Sequence, residues 1–182
     1  ATNEERWFDI KKDGVTLRGL TVESAGIDVS SGEVEGIFLI YSSGFTDTGE
    51  IIEIKDVDIK NVDGTDTENT TEGIHIKDYD GDDPIRDVNI DNVTISGVDG
   101  PTGDYDSGGR GANGIKLQAD INDISITSTD IKKIDGGWGY GVALTGSSNE
   151  SGTPTNVSFS NVTIDEVITS DYDSIGIGID SS

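Results

Sequence analysis

The chain's one histidine, His75, stands in the stretch Glu72-Gly73-Ile74-His75-Ile76-Lys77. The same frame returns in Asn113-Gly114-Ile115-Lys116-Leu117-Gln118 and, with fewer polar residues, in Tyr140-Gly141-Val142-Ala143-Leu144-Thr145. Glu35-Gly36-Ile37-Phe38-Leu39-Ile40 precedes these copies, and Ile175-Gly176-Ile177-Gly178-Ile179-Asp180 follows them. Glu72, His75 and Lys116 are the catalytic candidates: a carboxylate, an imidazole that titrates near neutrality and an amine. An inverting glycosidase needs a carboxylic acid and a carboxylate roughly 6.5–9.5 Å apart across the sugar. Glu35 and Glu72 are the pair that this frame could stack in one column. A polysaccharide lyase needs a base beside a sugar carboxylate, often with Ca²⁺, and Arg110, Lys116, Lys77 and His75 could supply it. The plainer reading, in which Glu35 and Glu72 are solvated surface carboxylates, is preferred.

A glycan-binding face would draw on the same columns: Glu72, His75, Lys77, Asn113, Lys116 and Gln118. Trp138 and Tyr140, set among glycines, could stack on a sugar ring or simply pack their loop. Glycine in every copy could leave a shallow strip for a polymer, or could only relieve crowding. Four aspartates, Asp78, Asp80, Asp82 and Asp83, fall in the stretch Lys77–Pro84, read as a loop, and Asp104 and Asp106 fall in a later one. Ca²⁺ takes six to eight oxygens, which alternating Asp and Gly can offer. The closing Glu of a calcium loop is missing, so no cofactor is required and Ca²⁺ stays an option. Of five Asn-x-Ser/Thr sequons, Asn69 and Asn149 lie in loops and are the better glycosylation acceptors. Asn92 and Asn161 are expected to serve a turn conformation that Asn tolerates.

The elements that must position these residues are set by a second pattern. Val15, Leu17, Leu20, Val22 and Ala25 are spaced 2, 3, 2 and 3 apart. The spacing repeats at Ile52–Val62, Val88–Val98, Ile124–Ile134 and Val157–Val167, with starts 37, 36, 36 and 33 residues apart. Steps of two are strand periodicity, and Val, Ile and Thr favour the pleated surface. The step of three breaks the alternation once, so each run reads as two short strands joined by a bend, with one face inward. Each unit is too small to bury that face alone, which implies a solenoid. With the glycine frame as a third strand, the prediction is an all-β fold: a right-handed parallel β-helix of about five turns with three strands per turn. Residues 1–182 read as a single domain, or as part of a longer chain.

Thirty-six acidic residues against twelve Lys and Arg give a formal charge of −24. That excess repels itself at low salt, and at about 1 M salt the Debye length falls to about 3 Å and the repulsion largely disappears. The composition points to a salt-loving source, with an acidic, calcium-rich extracellular protein as the alternative. It argues against a nucleic-acid partner. There is no cysteine, and no apolar stretch long enough for a membrane span.

In repeat pattern the chain resembles the pectin-lyase-like β-helices, and among them the polygalacturonases. In that family the Gly-Ile-x-Ile strand carries the active site, and successive turns present Asn-Thr-Asp-Gly, Asp-Asp, Gly-His-Gly and Arg-x-Lys. Here Thr70-Thr71-Glu72-Gly73 resembles the first, with Glu72 in the Asp position. The later turns offer Ala112-Asn113-Gly114, Gly139-Tyr140-Gly141 and Ile175-Gly176-Ile177, without the acidic pair, the His or the Arg. The scaffold matches and the catalytic set is mostly missing. The expectation is therefore a non-catalytic, glycan-binding or structural module of an exposed assembly, such as a virion spike, surface layer or adhesin. Its source would be a haloarchaeon or its virus, and its location extracellular, at the cell surface or on a virion. Its partners would be a polysaccharide or cell-surface glycan. The strand pattern runs on to Ile179 with no capping segment after it, and the resemblance implies a homotrimer or larger assembly. The alternative is a secreted polysaccharide lyase or glycoside hydrolase acting on an acidic polysaccharide.

Overall fold

The computed structural model describes residues 5–10, 12–23, 34–41, 49–65, 70–78, 85–102, 111–146, 152–170 and 174–180. Its elements are thirteen β-strands and, among the described residues, no helix: β1 (Glu5–Ile10), β2 (Thr16–Glu23), β3 (Val34–Tyr41), β4 (Ile52–Asp63), β5 (Thr71–Asp78), β6 (Val88–Asp99), β7 (Gly111–Gln118), β8 (Asn122–Thr127), β9 (Asp130–Gly136), β10 (Trp138–Thr145), β11 (Thr155–Ser160), β12 (Thr163–Thr169) and β13 (Ser174–Asp180). All strand pairs are parallel. The fold is thus an all-β parallel solenoid. The glycine frame forms one sheet in the order β1-β3-β5-β7-β10-β13. The 2-3-2-3 runs form the other, in which the first half of β6 pairs with β8 and its second half with β9.

The apolar positions of the repeat stack as columns and make the core. Ile54, Ile90 and Ile126 are neighbours in register, as are Ile59, Ile95 and Ile131. All six are 0% exposed. Burying one such side chain stabilises by about 1.5–3 kcal/mol. Thr129, the polar exception in the repeat, is also buried, and its hydroxyl donates to the Thr127 carbonyl at 2.8 Å.

Each step of three is a bend with a physical signature. The second of its two intervening residues takes positive φ: Gly19 (64°), Asp56 (53°), Asn92 (54°), Ser128 (47°) and Asn161 (59°) in one column, and Asn61 (52°), Gly97 (71°), Lys133 (55°) and Glu166 (55°) in the next. The left-handed region costs an L-residue roughly 1–2 kcal/mol, least for Gly, Asn and Asp. This explains why the bends are rich in those three residues, and it bears out the turn role read for Asn92 and Asn161. Ser128, Lys133 and Glu166 are the exceptions, all exposed. Replacing Lys133 with Gly is expected to stabilise the fold by roughly 0.5–1 kcal/mol, seen as a higher melting temperature than wild type.

The bend columns also carry side-chain ladders. Arg18 Nε donates to Asp56 Oδ2 at 2.9 Å, and Asn92 Nδ2 donates to Asp56 Oδ1 at 2.7 Å. These hold the Asp56 carboxyl below its usual range, the Asn92 bond being the larger cause.

Candidate functional site

At four of the frame glycines, Gly36, Gly73, Gly114 and Gly141, a Cβ would strike atoms of the next layer or of the opposite sheet. A Cβ on Gly73 would lie 2.7 Å from the Gly114 carbonyl oxygen and 2.7 Å from Ile95 Cγ2. On Gly114 it would meet Ile131 Cγ2 at 2.5 Å and the Gly141 oxygen at 2.6 Å. The glycines therefore serve close contact between the two sheets and between layers, on the inner side. They do not open an outer strip for a polymer.

The outer face of this sheet holds the polar columns. Glu35, Glu72 and Asn113 are register neighbours on β3, β5 and β7, and His75 lies beside Lys116. One correction follows at once: these are not solvated surface groups. Glu35 is 1% exposed, Glu72, His75 and Asn113 are 0%, and Lys116 is 9%. Charges so enclosed must be paired. Lys116 Nζ donates to Glu72 Oε1 at 3.0 Å and to Thr70 Oγ1 at 3.2 Å. Asn113 Nδ2 donates to the same Glu72 oxygen at 3.4 Å. His75 Nε2 lies 3.2 Å from Gln118 Oε1, and His75 Nδ1 lies 3.5 Å from Glu35 Oε1. Of the residues singled out by sequence, the fold thus gathers Glu35, Glu72, His75, Asn113, Lys116 and Gln118 into one cluster. It adds Thr70, whose role had no sequence signal beyond its place two residues before Glu72.

Two of the remaining candidates border this cluster in register, Lys77 beside Gln118 and Tyr140 beside Asn113. Lys77 and Asp78 close strand β5 rather than opening a loop, and Asp78 is buried. Asp80, Asp82, Asp83, Asp104, Asp106, Arg110, Asn69 and Asn149 lie outside the described residues. Trp138 and Tyr140 meet edge to face, with centroids 5.4 Å apart at 70°. Trp138 also covers Gly111, where a Cβ would lie 2.7 Å from its Cδ2, and Tyr140 covers Gly178 at 2.3 Å from Cε1. Both rings lie against glycines on neighbouring strands and stay partly exposed.

A carboxylate ladder escaped the sequence reading. Asp63, Asp99 and Asp135 are register neighbours on β4, β6 and β9. The signal was present: each follows the last apolar position of its repeat. Burial, then Asp135, then Asp63, raises the Asp99 carboxyl above its ordinary value. A raised folded-state pKa on an acid means that ionisation opposes folding. That destabilisation is present above the folded pKa and vanishes below the ordinary carboxylate value. Asp99→Asn is therefore expected to raise the melting temperature at pH 7, by roughly 0.5 kcal/mol of stability, and to give no gain at pH 3. Thermal unfolding at the two pH values checks it.

No protein-family model, curated protein or solved structure matches this chain. Among the described residues, no helix is long and apolar enough to cross a membrane.

Proposed function

We propose that the chain is a non-catalytic, salt-adapted module of an exposed surface assembly, coiled as a right-handed parallel β-helix of about five turns. One observation carries the non-catalytic reading. The carboxylate, imidazole and ammonium that could do chemistry on a sugar are enclosed and bound to one another, with Glu72 held by Lys116 and Asn113. A polysaccharide chain has no approach to a group that is 0% exposed. Recognition of a glycan would then fall to exposed parts of the rod. Membership of the pectin-lyase-like β-helices, a haloarchaeal or viral source, an extracellular or virion location and a trimeric assembly belong to the same proposal. The repeat pattern, the acidic composition and the resemblance support them. The test is a screen on polyuronides and surface glycans in molar salt with Ca²⁺. The expected result is neither unsaturated-sugar absorbance nor new reducing ends. Cleavage that Glu72→Gln abolishes would overturn the proposal and favour the second reading, a polysaccharide lyase or glycoside hydrolase. What favours that second reading is the convergence of Glu35, Glu72, His75 and Lys116 on one face.

The formal charge of −24 makes the salt component testable by itself. Dilution from molar salt to tens of millimolar lengthens the Debye length from about 3 Å toward 10 Å and beyond, so distant carboxylates begin to repel. The melting temperature is expected to fall sharply on that dilution. An unchanged value would remove the salt-adapted reading.

A further inference from the structure

We propose that the end of the solenoid edged by β13 is a docking face for a second copy of this chain. The two copies meet tail to tail about a twofold axis, with their β13 strands paired antiparallel. The contact goes beyond the proposed surface role and does not depend on it.

Three observations carry the inference. The first is an open core. Ile177 and Ile179 are register neighbours of Val142 and Leu144 on β10, so they continue two core columns. Val142 is 0% exposed and Leu144 5%, whereas Ile177 is 44% and Ile179 77%. On β11 and β12, the last strands of the other sheet, Val157, Phe159, Val162, Ile164 and Val167 are half-buried. At the opposite end, Ile10 on β1 and Val22 on β2 are buried, beside the half-buried Phe8, Leu17 and Leu20.

The second is the strand edge. β13 is the last strand of its sheet, and among the described residues β10 is the only strand that it pairs with. Such an edge holds a row of N–H and C=O groups that a second strand pairs in series. Exposed edges are ordinarily guarded by charge. β1, the edge at the opposite end, carries Glu5, Arg6 and Asp9, whereas Ser174 to Ile179 holds no charged residue. In a chain of formal charge −24, two copies approach at least cost where charge is missing.

The third is self-complementarity. A twofold contact sets residue i against j and j against i. An axis at Gly178 sets Ile177 of each copy opposite Ile179 of the other, all four on the core side of the seam. The outer side of the seam is Gly178 itself, lying under the Tyr140 ring, where a Cβ would be 2.3 Å from Cε1. No side chain there obstructs the partner. Head-to-tail stacking would instead bring β13 against the charged edge of β1.

Size sets the strength. The seven residues of β13 span about 23 Å at about 3.3 Å per residue. A rod end of that width offers a few hundred Å², so the pair buries less than about 1,200 Å² in total, the range of weak, reversible contacts.

Sedimentation equilibrium of the full chain in molar salt tests this. A doubling of mass is expected with rising concentration, reversible in the micromolar-to-millimolar range. It runs from monomer to dimer or, where rods also join by their sides, from trimer to hexamer. Ile179→Lys is expected to weaken the doubling roughly 10-fold or more, because it buries an ammonium without a partner. At an exposed position it should leave the melting temperature of the dilute chain unchanged. Ile51→Lys, at an exposed isoleucine outside β13, is expected to double as wild type does. The chain has no cysteine, so introduced ones report the orientation directly. Ile177→Cys mixed with Ile179→Cys is expected to give disulfide-linked pairs faster than either variant alone, whatever the lysine variant does to folding. A mass that never doubles, an open series growing past one doubling, or an assembly that Ile179→Lys leaves intact would overturn the proposal.

Discussion

Replacing Lys116 with Met is expected to destabilise the folded chain by about 3–5 kcal/mol. The reason is not the lost attraction alone. Glu72 is 0% exposed and accepts from Lys116 Nζ at 3.0 Å, so removing the ammonium leaves a carboxylate in a space that water does not reach. A chain of this size loses roughly 2–4 °C of melting temperature per kcal/mol, which puts the drop at roughly 10 °C. The neutral partner change separates charge from packing. Glu72→Gln in the Lys116→Met background removes the stranded charge and is expected to recover most of the loss. The coupling between the two positions, read from the double-mutant cycle, should exceed 1 kcal/mol. If the single and double variants melt together, Glu72 is not enclosed as described. Equal stability of wild type and Lys116→Met would dissolve the cluster as a structural element altogether.

The second large effect lies on the inner side of the same sheet. Gly73→Ala is expected to lose about 3 kcal/mol. Overpacked methyl groups commonly cost about 1–3 kcal/mol, and here one of the clashing atoms is a backbone oxygen. The added carbon would lie 2.7 Å from the Gly114 oxygen and 2.7 Å from Ile95, both held by neighbours above and below. The repeat supplies its own control. Gly176 occupies the equivalent position on β13, and a Cβ there meets nothing within 4 Å. Gly176→Ala should therefore melt with wild type, while Gly73→Ala and Gly114→Ala melt roughly 10 °C lower. A similar effect at all three positions would mean that glycine acts through backbone conformation and not through contact.

The sequence carried the columns of the core because stacking repeats the same chemistry at a fixed spacing. Val88, Ile90, Val93, Ile95 and Val98 could be placed inward from alternation and its single break. It also placed Asn92 and Asn161 at bends, since Asn is one of the few residues that the left-handed region tolerates. The polar columns were legible as columns but not as buried. Alternation says that His75 points away from Ile74 and Ile76, and an outward side chain on a strand is ordinarily wet. Nothing in the order of residues says that a second face is enclosed. The pairing of Lys116 with Glu72 across two strands, 44 residues apart, was hidden for the same reason. Lys133 and Glu166 were missed as bend residues because their types speak against positive φ. There the stack overrides local preference.

The core columns have one further consequence. Ile54, Ile90 and Ile126 are interchangeable, and so are Ile59, Ile95 and Ile131. A chain built this way can slip by a whole layer and still bury apolar groups against apolar groups, so the hydrophobic interior recognises a strand's phase but not its address. The polar columns break that sameness: the column of Glu35 and Glu72 turns to Asn113 and Tyr140, and the column of Phe38 passes through His75 to Lys116 and Ala143. Misthreading by one layer would set Glu72 beside the wrong neighbour and leave a charge enclosed without its counter-ion. The buried polar cluster thereby acts as an aperiodic key in a periodic molecule, telling each strand which neighbour is its own.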